Sequence, residues 1–119
     1  MKNNWTAAGA AFGFLAVAIG AFGAHQLKNV LSPEMMEVYR TGVLYHLLHA
    51  VIITAIGFTA NPKYFKAALF LSIGIILFSF SLYIYTVTGI KALAMITPAG
   101  GVSFLIGWLL IFISSLNRK

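Results

Sequence analysis

A chain of 119 residues with 61% hydrophobic and only 8% charged side chains has too little polar surface for a soluble domain, in which roughly a quarter of residues are charged. Eight Lys or Arg against two acidic residues leave a formal charge of +6, but no basic cluster sits on a polar domain, so nucleic acid is excluded as a partner. With no cysteine in the chain, disulfides, thiolate nucleophiles and Cys-ligated metals are excluded as well.

The charges punctuate the sequence. None falls between Asn3 and Leu27, between Thr41 and Pro62, between Ala67 and Ile90, or between Ala92 and Asn117. Each interval holds an apolar run of about 17 to 25 residues, which is what a helix needs to cross a hydrocarbon core of roughly 30 Å. The expected fold is all-α: one membrane domain built as a compact antiparallel bundle of four transmembrane helices. The first run resembles a secretory signal in that Lys2 precedes it and small residues follow. Its length, and the three further runs behind it, favour a helix that stays in the membrane.

The first predicted helix covers about residues 5–24. Gly9 and Gly13 form a Gly-x-x-x-Gly pair, and Gly20 and Gly23 extend a small-residue face that lets another backbone come close. Packing within the chain is the expected use of that face, a homodimer the alternative. The longest connection follows, from His25 to Arg40. Ser32 then Pro33 reads as an N-cap and first helical residue, with Glu34 placed to suit the helix dipole. A lead-in from residue 33, with an adjustment at Gly42, therefore runs into a second span at about 43–60. Asn61-Pro62 stops it. The third span covers about 67–88, and Lys91 to Thr97 forms a short re-entry segment. Thr97-Pro98 then opens the fourth, about 98–115, where Gly100 and Gly101 keep the first turn open to close contact, and Ser103 and Gly107 give a second small face.

Four spans put both termini and the loop between the second and third helices on one side. Lys2, Lys63, Lys66, Arg118 and Lys119 fall there. Lys28, Arg40 and Lys91 fall on the other side, where Glu34 and Glu37 offset them. The positive-inside bias places both termini in the cytoplasm.

With that orientation, polar side chains gather in the outer half of the bundle: His25 at the end of the first helix, Tyr45, His46 and His49 on the second, Ser79, Ser81 and Tyr83 on the third, Thr97 at the start of the fourth. At 1.5 Å per residue, His49 is expected about 10 Å below the start of the second span. The cytoplasmic half reads as aliphatic, aromatic and glycine. Three readings of the histidines stay open. His46 and His49 can bond to hydroxyls of Ser79, Ser81, Tyr83 or Thr97 and lock the bundle. They can form a substrate, proton or ion site, because an ionisable residue inside a membrane points to function by default. Or, with His25, they can hold a metal or haem. No catalytic residue is assigned. Glu34 and Glu37 lie in the interfacial segment, and a histidine beside a serine lacks the orienting third group and oxyanion donors that acyl transfer needs. Trp5 is expected as an interface anchor at one end, Tyr83 and Tyr85 at the other, and Trp108 as core packing.

Four motifs carry a family likeness: Gly20 to Leu27 (Gly-Ala-Phe-Gly-Ala-His-Gln-Leu), Thr41 with Tyr45-His46-Leu-Leu-His49-Ala50, Phe78-Ser79-Phe80-Ser81-Leu-Tyr83, and Thr97-Pro98-Ala-Gly100-Gly101 with Gly107-Trp108. In this order, over essentially the whole chain, they resemble the bacterial family catalogued as domain of unknown function 423, with eukaryotic relatives in the transmembrane protein 256 group. The resemblance implies a four-helix protein of the bacterial cytoplasmic membrane and supplies no activity, substrate or cofactor. Members typically have Ser-Gly-Ser where this chain has Ser79-Phe80-Ser81, so a phenylalanine fills space that glycine leaves open. The expected function is non-enzymatic: a polar cluster that organises the bundle or binds a small ligand, lipid or membrane-protein partner. The alternatives are a small oligomeric transporter or channel and a metal- or haem-linked redox protein.

Overall fold

The structure is a computed structural model that describes residues 3–117; Lys2, Arg118 and Lys119, which entered the topology argument, lie outside these residues. All regular structure among the described residues is helical. Four helices are long and apolar enough to cross a membrane: α1 (Trp5–Gln26), α2 (Pro33–Thr59), α3 (Pro62–Thr88) and α4 (Lys91–Ser115). Large apolar side chains such as Phe14 and Phe58, each 75% exposed, cover the outside. A protein in water would not tolerate that surface; a bilayer requires it.

Local chemistry sets the helix ends. The Met35 amide donates to Ser32 Oγ at 3.1 Å, capping α2 just before Pro33. From there α2 runs unbroken for 27 residues, about 40 Å. The adjustment expected at Gly42 is absent. Its missing Cβ serves a different purpose, because a side chain there would meet the Tyr83 ring of α3. At the other end Ala60 takes a left-handed conformation with φ 53°, a position glycine usually fills, and Asn61 Oδ1 caps the turn that opens α3 by accepting from the Lys63 amide. α4 begins with the turn Lys91–Ala94 and resumes at Thr97, with Pro98 in its first turn.

The interior of α3 departs from a regular helix. Between Ile75 and Phe80 it widens into a π segment. The Ser81 hydroxyl donates to the Phe78 carbonyl at 2.9 Å and so accepts from Thr97 Oγ1, 2.7 Å away. On the same stretch Gly100 of α4 lies against the backbone of Leu77 and Phe78. The widened turn and the glycine form one feature.

Consecutive helices are antiparallel. α1 packs on α2, α4 packs on α3, and α2 against α3 forms the middle of the molecule. The largest apolar core, which includes Ile53, Leu71, Ile75 and Phe104, fills the half nearer the termini, and a smaller one around Leu27, Met36 and Tyr39 fills the opposite end. The terminal half also carries polar contacts that the sequence pattern had left out. The buried Ser103 donates to the Phe70 carbonyl at 2.7 Å, and Asn3 Nδ2 donates to the Gly57 carbonyl at 2.7 Å. Each pins one helix to another.

Candidate functional site

Between the two cores, α1, α2 and α3 converge on His46, which is fully buried. Its Nδ1 is 2.8 Å from the Tyr83 hydroxyl, and the rings of Phe12 and Phe80 meet the imidazole edge-on at 6.2 and 5.4 Å. Phe80 thus occupies the space beside His46 that a glycine would leave open. The remaining ring atom, Nε2, has no hydrogen-bond partner. One turn away, Ser79 Oγ donates to the Gly42 carbonyl at 2.7 Å. Tyr39 extends the cluster to α1, donating to the Ile19 carbonyl at 2.6 Å, with its ring 5.4 Å from that of Tyr83.

His49, one turn along α2, is held differently. Its Nδ1 donates to the Tyr45 carbonyl at 2.7 Å, and its Nε2 accepts from the Trp108 indole at 3.0 Å. Its ring stacks on Phe104 at 3.8 Å with the planes 14° apart. Both nitrogens are committed, and the bonds fix one neutral tautomer. Nitrogen NMR should therefore find His49 protonated at Nδ1, with Nε2 as an acceptor. Trp108→Phe should shift the Nε2 resonance and cost about 1 kcal/mol of stability, the ordinary worth of such a bond. An unchanged Nε2 resonance would exclude the indole bond.

The sequence reading therefore needs three corrections. Trp108 is not core packing: it is 40% exposed and bonded to His49. Tyr83 is no interface anchor, since it bonds a buried histidine in the interior. His49 also lies farther along its helix than a start at residue 43 suggests. α2 begins at Pro33, so His49 lies past the midpoint of that helix, level with Trp108 on α4. Measuring depth from Pro33 would have brought the two residues together.

The other expected residues divide. Tyr45, His46, His49, Ser79, Ser81, Tyr83 and Thr97 all lie along the α2–α3–α4 contact, whereas His25 is exposed at the last turn of α1. No three His, Asp or Glu side chains converge on a metal-sized site among the described residues. Of the packing glycines, Gly9, Gly23, Gly100 and Gly107 are in tight contact, and Gly20 faces Val43 Cγ1, 3.2 Å from where a Cβ would stand. Gly13 and Gly101 have room, their nearest atoms being 3.9 and 4.0 Å from that point. Gly57, against the Thr6 backbone, and Gly74, against the Phe104 ring, were not anticipated.

Beside His49 a groove of about 490 Å³ runs between α2 and α4, lined by Tyr45 and His49 of α2, Phe78 of α3, and Gly101, Phe104 and Trp108 of α4. Leu44 and Leu105, 60% and 70% exposed, flank its mouth, so it opens sideways toward lipid. Its walls are nearly all aromatic or aliphatic. With both nitrogens bonded and its ring nearly buried and stacked on Phe104, His49 offers the groove neither a base nor a ligand atom.

Known proteins are similar to this chain in sequence. A family model described as "Protein of unknown function (DUF423)" matches residues 19–101. The UPF0382 membrane protein YwdK of Bacillus subtilis is 41% identical over 92% of this chain and 93% of its own length. The UPF0382 inner membrane protein YgdD of Escherichia coli K12 is 35% identical over 90% of this chain and 85% of its own. A UPF0382 membrane protein of Haemophilus influenzae is 37% identical over 100% of this chain and 98% of its own. No solved structure matches. Four apolar spans together with these relatives make the chain a multi-pass inner-membrane protein, and it belongs to the DUF423 family.

Proposed function

We propose that this is a non-enzymatic binding protein of the membrane, and that the groove between α2 and α4 takes the ring or chain of a lipid-soluble ligand arriving sideways from the bilayer. One observation supports this reading above the rest: a groove of about 490 Å³ that opens on lipid and is walled by aromatic and aliphatic side chains, beside a histidine whose two nitrogens are already bonded. Pockets of this size with apolar walls and few polar groups are the usual form of small-molecule sites. A histidine meant for proton transfer or metal binding would keep a nitrogen free. His49 instead holds Tyr45, Phe104 and Trp108 in register, which keeps the walls apart.

Photolabelling tests the reading. Diazirine-bearing fatty acid and isoprenoid probes, incorporated into bilayers containing the purified protein, are expected to label peptides containing Tyr45, Phe78 or Trp108. Gly101→Leu should place a side chain in the groove, where a Cβ meets nothing closer than 4.0 Å. Labelling of those peptides should fall about tenfold, equivalent to ~1.4 kcal/mol, while the protein stays folded. Labelling spread evenly over the lipid-facing surface, or unchanged by Gly101→Leu, would overturn the proposal.

A further inference from the structure

At the end of the bundle away from the termini, a second recess lies on the outside of α1 and α2, apart from the aromatic groove. Lys28, Glu37 and Arg40 line it together with Ala24 and Met36, and its volume is about 480 Å³. Ala24, Met36 and Arg40 also line a neighbouring apolar recess of about 270 Å³, which continues along the helices past Gly20, Val43 and Leu47. The two are one groove with a charged end and an apolar end. Arg40 stands at the junction.

The balance at the charged end is positive, two cations against one carboxylate. Glu37 does not cancel Arg40. Their closest approach is 3.5 Å and both side chains are largely exposed, at 76% and 69%, an arrangement worth little in water. Lys28 forms no salt bridge among the described residues. An arginine at the apolar boundary suits phosphate, because its planar fork can bond two oxygens at once. Gly20 matters at the other end, where a side chain on α1 would press on Val43 and narrow the path along α2. A small anion would leave that apolar trough empty, and a neutral lipid would leave Lys28 and Arg40 unanswered.

We infer that this groove holds one anionic phospholipid, its phosphate between Lys28 and Arg40 and one acyl chain along Gly20, Val43 and Leu47. The assignment does not depend on the aromatic groove between α2 and α4 and stands if that groove proves empty.

Native mass spectrometry of the full chain, released from detergent after incubation with equimolar phosphatidylglycerol and phosphatidylcholine of matched chains, tests it. The parent protein should retain one phosphatidylglycerol in clear preference to phosphatidylcholine. Lys28→Gln and Arg40→Gln should each weaken that retention about fivefold, the effect of one basic residue near an anionic lipid, and weaken retention of phosphatidylcholine, whose phosphate is offset by its own cation, distinctly less. Lys28→Arg should restore it, and Glu37→Gln should strengthen it. Both lysine variants alter an exposed side chain, so an unchanged thermal melt will show that folding is intact. Equal retention of the two lipids by the parent, or a preference that survives both glutamine substitutions, would overturn the inference. Displacement by glycerol 3-phosphate at the same concentration as the lipid would also overturn it, by showing a site for small anions that makes no use of the chain.

Discussion

Alanine at Gly100 should destabilise the protein by about 3 kcal/mol, and alanine at the adjacent Gly101 should not. A Cβ on Gly100 would overlap the backbone of Leu77 and Phe78 in the π segment of α3. Backbone cannot turn aside as a side-chain tip can, so α4 must shift bodily. Overpacking of a closed contact costs about 1–3 kcal/mol, and this contact lies at the upper end because displacing α4 also strains the Thr97–Ser81 hydrogen bond at 2.7 Å. At Gly101 the nearest atom to such a Cβ is 4.0 Å away. There the better helix propensity of alanine, worth up to about 1 kcal/mol, should offset whatever else changes. α1 supplies a second matched pair. Gly9→Ala would drive a methyl into the Thr54 backbone, while Gly13→Ala would meet only Ala50 Cβ at 3.9 Å. Unfolding in mixed micelles, followed by circular dichroism, should rank Gly100→Ala and Gly9→Ala well below their partners. If neighbours within each pair melt alike, the described crossing points of α1 with α2 and of α3 with α4 are wrong.

The same glycines show how far sequence alone reaches. Gly9 and Gly13 form a Gly-x-x-x-Gly pair, and the motif gives them equal weight. Only the crossing point of α1 and α2 places Thr54 against one of them and not the other, and a crossing point is a tertiary quantity with no local signature. The four spans were legible because charge is so costly in hydrocarbon that its absence marks each crossing. Ser32-Pro33 and Thr97-Pro98 were legible as starts because capping is local chemistry. The π segment was not, since nothing in Ile75 to Phe80 demands it. It accompanies the approach of Gly100 from another helix, together with the hydroxyls of Ser81 and Thr97. Residue types flagged His46, His49, Ser79, Ser81 and Tyr83, because polar groups in a membrane stand out. Trp108 escaped notice because an indole in an apolar helix reads as packing, and only its level with His49 reveals its bond. Phe80 was visible as a departure from the family pattern, yet its contact with His46 required the structure.

A double-mutant cycle on His46 and Tyr83 is expected to show coupling near the top of the range for bonds between membrane helices. His46→Leu removes a fully buried ring and strands the Tyr83 hydroxyl inside the bundle. A cost of about 2–3 kcal/mol follows, since leaving one partner of a buried pair unsatisfied is more expensive than removing both. Tyr83→Phe leaves the imidazole unpaired at Nδ1 when Nε2 already has no partner, and should cost about 2 kcal/mol. The double variant replaces the bond with two apolar groups among Phe12, Phe80 and Tyr39. It should therefore be more stable than the sum of the single changes implies, by about 1–1.7 kcal/mol. Strict additivity would mean that the 2.8 Å contact contributes nothing and that His46 is kept for something other than packing. The cycle also separates the two histidines in function. His46 does not line the groove, whereas His49 does. Photolabelling at Trp108 should therefore survive in the double variant once it is folded. A protein that regains its stability but loses labelling would place His46 in ligand binding, which its enclosure by Phe12, Phe80 and Tyr83 argues against.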